Sequence, residues 1–206
     1  WPVMEPTYGG NVLVARGSIS QLEFPESYPT GTSHSYGGIV RSVDDGAHWI
    51  AAVTPLLTIP PPFGPGPFPA PVGGSTFVYG NGIWLAQSVI GQGPWAEETK
   101  SVLRSTDAGQ SWQFWGDFPF NAEFTPVSIA YGNGVYVSIW GGETTHDPYT
   151  IMRSTDGGIT WSGVVRANEV GKSDYPNSIA FGGGKFVTAT GSYSEDNGAT
   201  WHDCET

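Results

Sequence analysis

The sequence predicts an all-β chain made of four similar units, each a four-stranded antiparallel meander. Three observations lead there. A turn of the pattern Ser-x-Asp-x-Gly-x-x-Trp occurs four times, and a glycine-rich hairpin precedes every copy. The composition, with 30 Gly and 17 Pro in 206 residues and 14% aromatics, suits short strands and tight turns, and no apolar pattern of helical period is sustained.

The hairpins come first in each unit. They are Tyr8-Gly9-Gly10-Asn11-Val12, Tyr79-Gly80-Asn81-Gly82-Ile83, Tyr131-Gly132-Asn133-Gly134-Val135 and Phe181-Gly182-Gly183-Gly184-Lys185. Asn-Gly between alternating apolar residues signals a two-residue type I′ turn, which needs positive φ at both central positions. The repeated turns are Ser42-Val43-Asp44-Asp45-Gly46-Ala47-His48-Trp49, Ser105 to Trp112 with Asp107 and Gly109, Ser154 to Trp161 with Asp156 and Gly158, and Ser194 to Trp201 with Asp196 and Gly198. Short Ser and Asp side chains accept hydrogen bonds from nearby backbone N–H groups, so such a turn satisfies its own polar atoms. The Gly allows the chain to reverse, and the Trp opens the next strand with a large anchoring surface. Each unit therefore reads strand, hairpin, strand, loop, strand, turn, strand, the blade of a β-propeller. The blades are expected at about 2–54, 75–118, 126–167 and 177–206 of one propeller domain.

The turn resembles the Asp-box, or bacterial neuraminidase repeat, of pattern Ser-x-Asp-x-Gly-x-Thr-Trp. Residues 154–161 and 194–201 match it fully, while Ser111 and His48 replace the Thr in the other two. The resemblance implies a turn between the third and fourth strands of a sialidase-like propeller blade. The family includes sialidases, other glycosidases, lectins and non-enzymatic propellers, so it speaks for fold more than for function. Propellers of this family usually have six or more blades. Four blades in this chain are compatible with a compact ring, an open half completed by a partner subunit, or part of a larger ring. The start at Trp1 without Met is read as a processed product or a piece of a longer protein.

Composition limits the partners. There are 19 acidic residues against 8 basic ones, a net charge of −11, which argues against nucleic acid and anionic membrane. No apolar run is long enough to span a bilayer, so no membrane insertion is expected. A single cysteine, Cys204, excludes an internal disulfide. Few lysines with abundant Trp, Gly and Pro suggest an extracellular, cell-surface or virion location. The link at 55–74 carries Pro55, Pro60, Pro61, Pro62, Pro65, Pro67, Pro69 and Pro71, and is expected to be extended and polyproline-like. It is either a strap across its own propeller or an arm toward a neighbouring subunit, the route to a homo-oligomer or larger assembly.

In an up-and-down blade the hairpins and the repeated turns share one face. The loops between second and third strands share the other, and these vary in length. A site for glycan or protein is expected on that variable face, where Trp95 with Glu97 and Glu98, and His146 with Asp147 and Tyr149, place aromatic platforms beside polar groups. Tyr36 and Trp115 are further candidates, although for Trp95 or Trp115 taken singly packing against the propeller rim is the favoured reading.

Catalysis is a weaker reading. Sialidases, by the resemblance, hold the substrate carboxylate with three arginines. This chain has five, of which Arg41, Arg104 and Arg153 precede the repeated turns and should point to their face. Arg16 and Arg166 remain, one short of the clamp, and the Arg-Ile-Pro motif is absent. Paired carboxylates for another glycosidase could come from Glu23, Glu26, Glu97, Glu98, Glu143, Asp147, Asp117, Glu123, Glu169 or Asp174, a permissive set. No cofactor motif is found. His202 and Cys204 do not make a four-ligand zinc site, and the turns carry too few carboxylates for calcium. The sequence thus predicts a non-enzymatic binding or structural propeller, with a sialidase-like glycoside hydrolase, or a fragment of one, as the alternative.

Overall fold

The computed structural model describes residues 3–19, 36–58, 67–69, 72–90, 99–114, 125–141, 149–166 and 177–203. Every regular element among them is a strand. Blade one is β1 (Val3–Gly9), β2 (Val12–Ile19), β3 (Tyr36–Ser42) and β4 (Ile50–Ala51), hydrogen-bonded in that order. A small antiparallel pair follows, β5 (Leu56–Thr58) and β6 (Pro67–Pro69). Blade two is β7 (Val72–Gly80), β8 (Ile83–Ile90), β9 (Thr99–Ser105) and β10 (Gln113–Phe114). Blade three is β11 (Thr125–Gly132), β12 (Val135–Gly141), β13 (Tyr149–Ser154) and β14 (Ser162–Arg166). Blade four is β15 (Ile179–Gly182), β16 (Lys185–Thr188) and β17 (Tyr193–Ser194), and a single bridge from Tyr193 to His202 supplies its fourth position. The chain is an all-β propeller of four antiparallel meanders.

The hairpins are two-residue turns of the expected kind. Gly80 pairs with Ile83 and Gly132 with Val135, and the residues between them are left-handed: Asn81 and Gly82 at φ 47° and 80°, Asn133 and Gly134 at 50° and 80°. Asn reaches this region at lower cost than other side chains and Gly at none, which fixes the register of the first two strands.

Each seam between consecutive blades has its own apolar core. Val12, Val14, Ile39, Phe77, Trp84, Leu103 and Trp112 join blades one and two. Leu85, Val102, Ile129, Tyr136, Trp140 and Met152 join blades two and three. Val135, Val137, Ile139, Tyr149, Ile151, Ile179 and Phe186 join blades three and four. Single sheets cannot bury both faces alone, so burial is a property of the seams.

The proline-rich link departs from the expectation of a polyproline segment where it is described. Leu57 pairs with Phe68, with Pro67 and Pro69 on either side. Alternate prolines turn their missing donors to one edge of the strand and leave Phe68 free to donate on the other, so the ladder tolerates them. Residues 59–66 and 70–71 lie outside the described set.

Candidate functional site

Three turns carry the same hydrogen-bond circuit. Ser105, Ser154 and Ser194 donate through Oγ to Oδ1 of Asp107, Asp156 and Asp196 at 2.7–2.8 Å. The N–H of Gly109, Gly158 and Gly198 returns to the same Ser Oγ at 2.8–3.0 Å. Oδ2 accepts from the Oγ of Ser111 and the Oγ1 of Thr160 and Thr200, each at 2.6 Å. The first turn is a chemical variant of this circuit. Ser42 donates to Asp44 at 2.7 Å and accepts from Gly46 N–H at 2.9 Å, but the Asp44 Oδ2 partner is His48 Nδ1, at 2.6 Å. In all four the indole Nε1 of Trp49, Trp112, Trp161 or Trp201 donates to the turn's glycine carbonyl at 3.0–3.3 Å.

These donors prefer an ionised carboxylate. The His48 N–H, then the Ser42 hydroxyl and the His48 ring, hold the Asp44 carboxyl at about 2. Desolvation pulls Asp107 and Asp156 upward, yet hydrogen bonds from Ser111 and Thr160 and their N–H groups leave both below the usual carboxylate range. Thr200 Oγ1 and N–H lower Asp196 in the same way. The carboxylate oxygens are thus engaged within their own turns. Among the described residues no three His, Cys, Asp or Glu side chains group to hold a metal, and no helix is long and apolar enough to cross a membrane.

The arginines before the turns do something the sequence did not disclose. Arg41 Nη1 donates to the Ala108 carbonyl of blade two at 3.0 Å. Arg104 Nε donates to the Gly157 carbonyl of blade three at 2.9 Å, and Arg153 Nε to the Asn197 carbonyl of blade four at 3.2 Å. Each carbonyl belongs to the residue before the turn glycine, held at φ 57°, 77° or 59°. The arginines lie at the turn face, as their spacing implies, and their partner is the next blade. The available signal was that Tyr193, in the last blade, takes the arginine position.

Trp95, Glu97, Glu98, His146, Asp147 and Trp115 lie outside the described residues. Tyr149 opens β13, and its side chain is 6% exposed in the core between blades three and four. Buried there, it does not offer a solvent-facing platform. Tyr36 opens β3. In blade four the corresponding loop is short and self-closed: Gly191 N–H donates to the Thr188 carbonyl at 3.0 Å, and Ser192 Oγ to Asp203 Oδ1 at 2.6 Å.

The model of the BNR/Asp-box repeat matches residues 152–162. The turn at 154–161 is an Asp-box, and the other three share its Ser-x-Asp-x-Gly-x-x-Trp pattern. Solved structures agree on the architecture. A Trypanosoma rangeli sialidase superposes at TM-score 0.58 with 18% identity, over 98% of this chain and 38% of that one. A Penicillium chrysogenum alpha-L-arabinanase complexed with arabinobiose gives 0.53 and 17%, over 94% and 60%. A Dyadobacter fermentans protein gives 0.54 and 19%, over 91% and 55%. The chain spans between about a third and two thirds of the length of these proteins. At such identities the likeness is one of fold. No curated protein matches the sequence.

Proposed function

We propose that this chain is a non-enzymatic Asp-box propeller module that binds glycan, or a glycan-bearing protein, through its variable loop face. The observation that carries the reading is the fate of the arginines. Arg41, Arg104 and Arg153 each spend a guanidinium donor on the backbone of the next blade, at the Asp-box face. A carboxylate clamp needs such forks free and convergent, so these three are committed to structure. Arg16 and Arg166 alone do not make the clamp a sialidase would use.

The neighbours support a sugar as the ligand class. One is an arabinanase complexed with arabinobiose, another a sialidase complexed with 2,3-difluorosialic acid. Trp95, Glu97, Glu98, His146 and Asp147 supply the stacking and hydrogen-bonding groups that a sugar ring takes. An extracellular, surface or particle location fits this role. Glycan-array binding on the 206-residue chain, beside hydrolysis of a fluorogenic sialoside and arabinoside, tests the reading. Binding without turnover, weakened about tenfold or more by Trp95→Ala, is expected. Turnover that depends on Glu97 or Asp147 would return the chain to the glycoside hydrolases.

A further inference from the structure

The three internal seams are built from the same parts. A hairpin aromatic of one blade lies on a hairpin glycine of the blade before it, Tyr79 on Gly9, Tyr131 on Gly80 and Phe181 on Gly132, where any Cβ would overlap the ring. An Asp-box glycine closes on an aliphatic side chain of the preceding blade: Gly109 on Val14, Gly158 on Leu85, Gly198 on Val137, all three side chains fully buried. An arginine then crosses to the Asp-box carbonyl.

Blade four ends with half of such a seam, and blade one begins with the other half. Gly182 stands where Gly9, Gly80 and Gly132 stand, and a Cβ there would meet open space. Val187, in register with Val14, Leu85 and Val137, is 41% exposed. On blade one, Tyr8, the counterpart of the three seated aromatics, is 61% exposed. The nearest atoms that a Cβ at Gly46 would meet belong to Leu13 and Trp49 of its own blade.

One position on blade four differs in kind, and it differs together with one on blade one. Lys185 occupies the place of Val12, Ile83 and Val135, directly after the hairpin. In the middle seam Ile83 faces Gly157, the residue before the Asp-box glycine. The equivalent residue of blade one is Asp45, left-handed at φ 55° like its counterparts. A seam from blade four to blade one would thus set a lysine against an aspartate where the inner seam sets an aliphatic against a glycine. At present Lys185 is paired with Glu195 at 2.5 Å, with both side chains about half exposed.

We propose that blade four docks blade one of a second copy of this chain, with Tyr8 seated on Gly182 and Asp45 facing Lys185. The open space at Gly182 and the exposure of Tyr8 show that blades four and one of these 206 residues do not cover each other. The contact is heterologous, so it closes only as a ring. Two copies give eight blades, the upper end of the usual propeller range, and three would exceed it. The assembly surface is therefore the two end blades, and the proline-rich link is not required for it.

Light scattering of the 206-residue chain over a wide concentration range tests this, expecting twice the 21.9 kDa chain mass. Gly182→Val leaves circular dichroism unchanged, because its Cβ enters open space at an ordinary φ. It should weaken self-association by about a hundredfold. Tyr8→Ala provides an independent disruption from the other side. Asp45→Lys alone should weaken association by about tenfold, and Asp45→Lys with Lys185→Asp should restore it. A monomer at every concentration would overturn the proposal. So would a dimer indifferent to Gly182→Val and Tyr8→Ala, or a charge swap that fails to rescue.

Discussion

Blades three and four carry the same hairpin and the same Asp-box, yet they sit in different environments. Every residue of β12 in blade three is buried, whereas β16 of blade four alternates between exposed and buried. In blade three Val137 is sealed by Gly198 of its neighbour; its counterpart Val187 is not covered. The same pair of turns thus occurs in a blade with two faces in core and in a blade with one. The Asp-box shapes a blade, and the adjoining blade stabilises it.

The largest expected effect separates two glycines that the sequence cannot tell apart. Gly132→Val pushes a side chain into the Phe181 ring and should cost about 3 kcal/mol in urea unfolding. Gly182→Val, in the dilute monomeric chain, should cost no more than about 0.5 kcal/mol. Equal losses would mean that both blades are covered alike.

A smaller contrast lies in the aliphatic row. Leu85→Ala removes a fully buried side chain and should cost about 3 kcal/mol. Val187→Ala, at a position 41% exposed, should cost about 0.5 kcal/mol or less under the same conditions.

The smallest effect concerns the odd Asp-box, that of blade one. Its Asp44 is held at about 2 against an ordinary 3.8. A carboxylate lowered on folding stabilises the fold above the unfolded value, and that contribution is lost as pH falls through the folded one. Acid should therefore loosen this turn between about pH 4 and pH 2. His48→Ala removes the ring partner, and NMR titration of the Asp44 carboxyl should show it moving up toward 3.8. An unmoved titration would mean that the backbone N–H and Ser42 hold the carboxylate without the ring.

How much was legible follows from these same residues. The Asp-box could be read because Ser154, Asp156, Gly158, Thr160 and Trp161 bond one another within eight positions. The hairpins could be read because positive φ at Asn133 and Gly134 is a demand of the turn itself. The burial of Tyr149 is the opposite case. A tyrosine beside a polar loop looks like a platform, and only its packing against blade four shows that it faces inward. The proline-rich link was judged by residue type alone, and the pairing of Leu57 with Phe68 depends on which strand edge each proline presents.

The sequence by itself determined the repeat, its turns and the four-stranded blade, since each rests on contacts between residues close in the chain. The tertiary structure decided which glycines seat an aromatic, where Arg41, Arg104 and Arg153 donate, and that Tyr8 and Gly182 are left without the covering their counterparts have. Those pairings join residues 44 to 70 positions apart, as in Arg153 with Asn197 and Gly9 with Tyr79. The serine-to-aspartate hydrogen bond of the turn repeats in every blade because its partners are two residues apart, whereas burial depends on what lies beyond the blade.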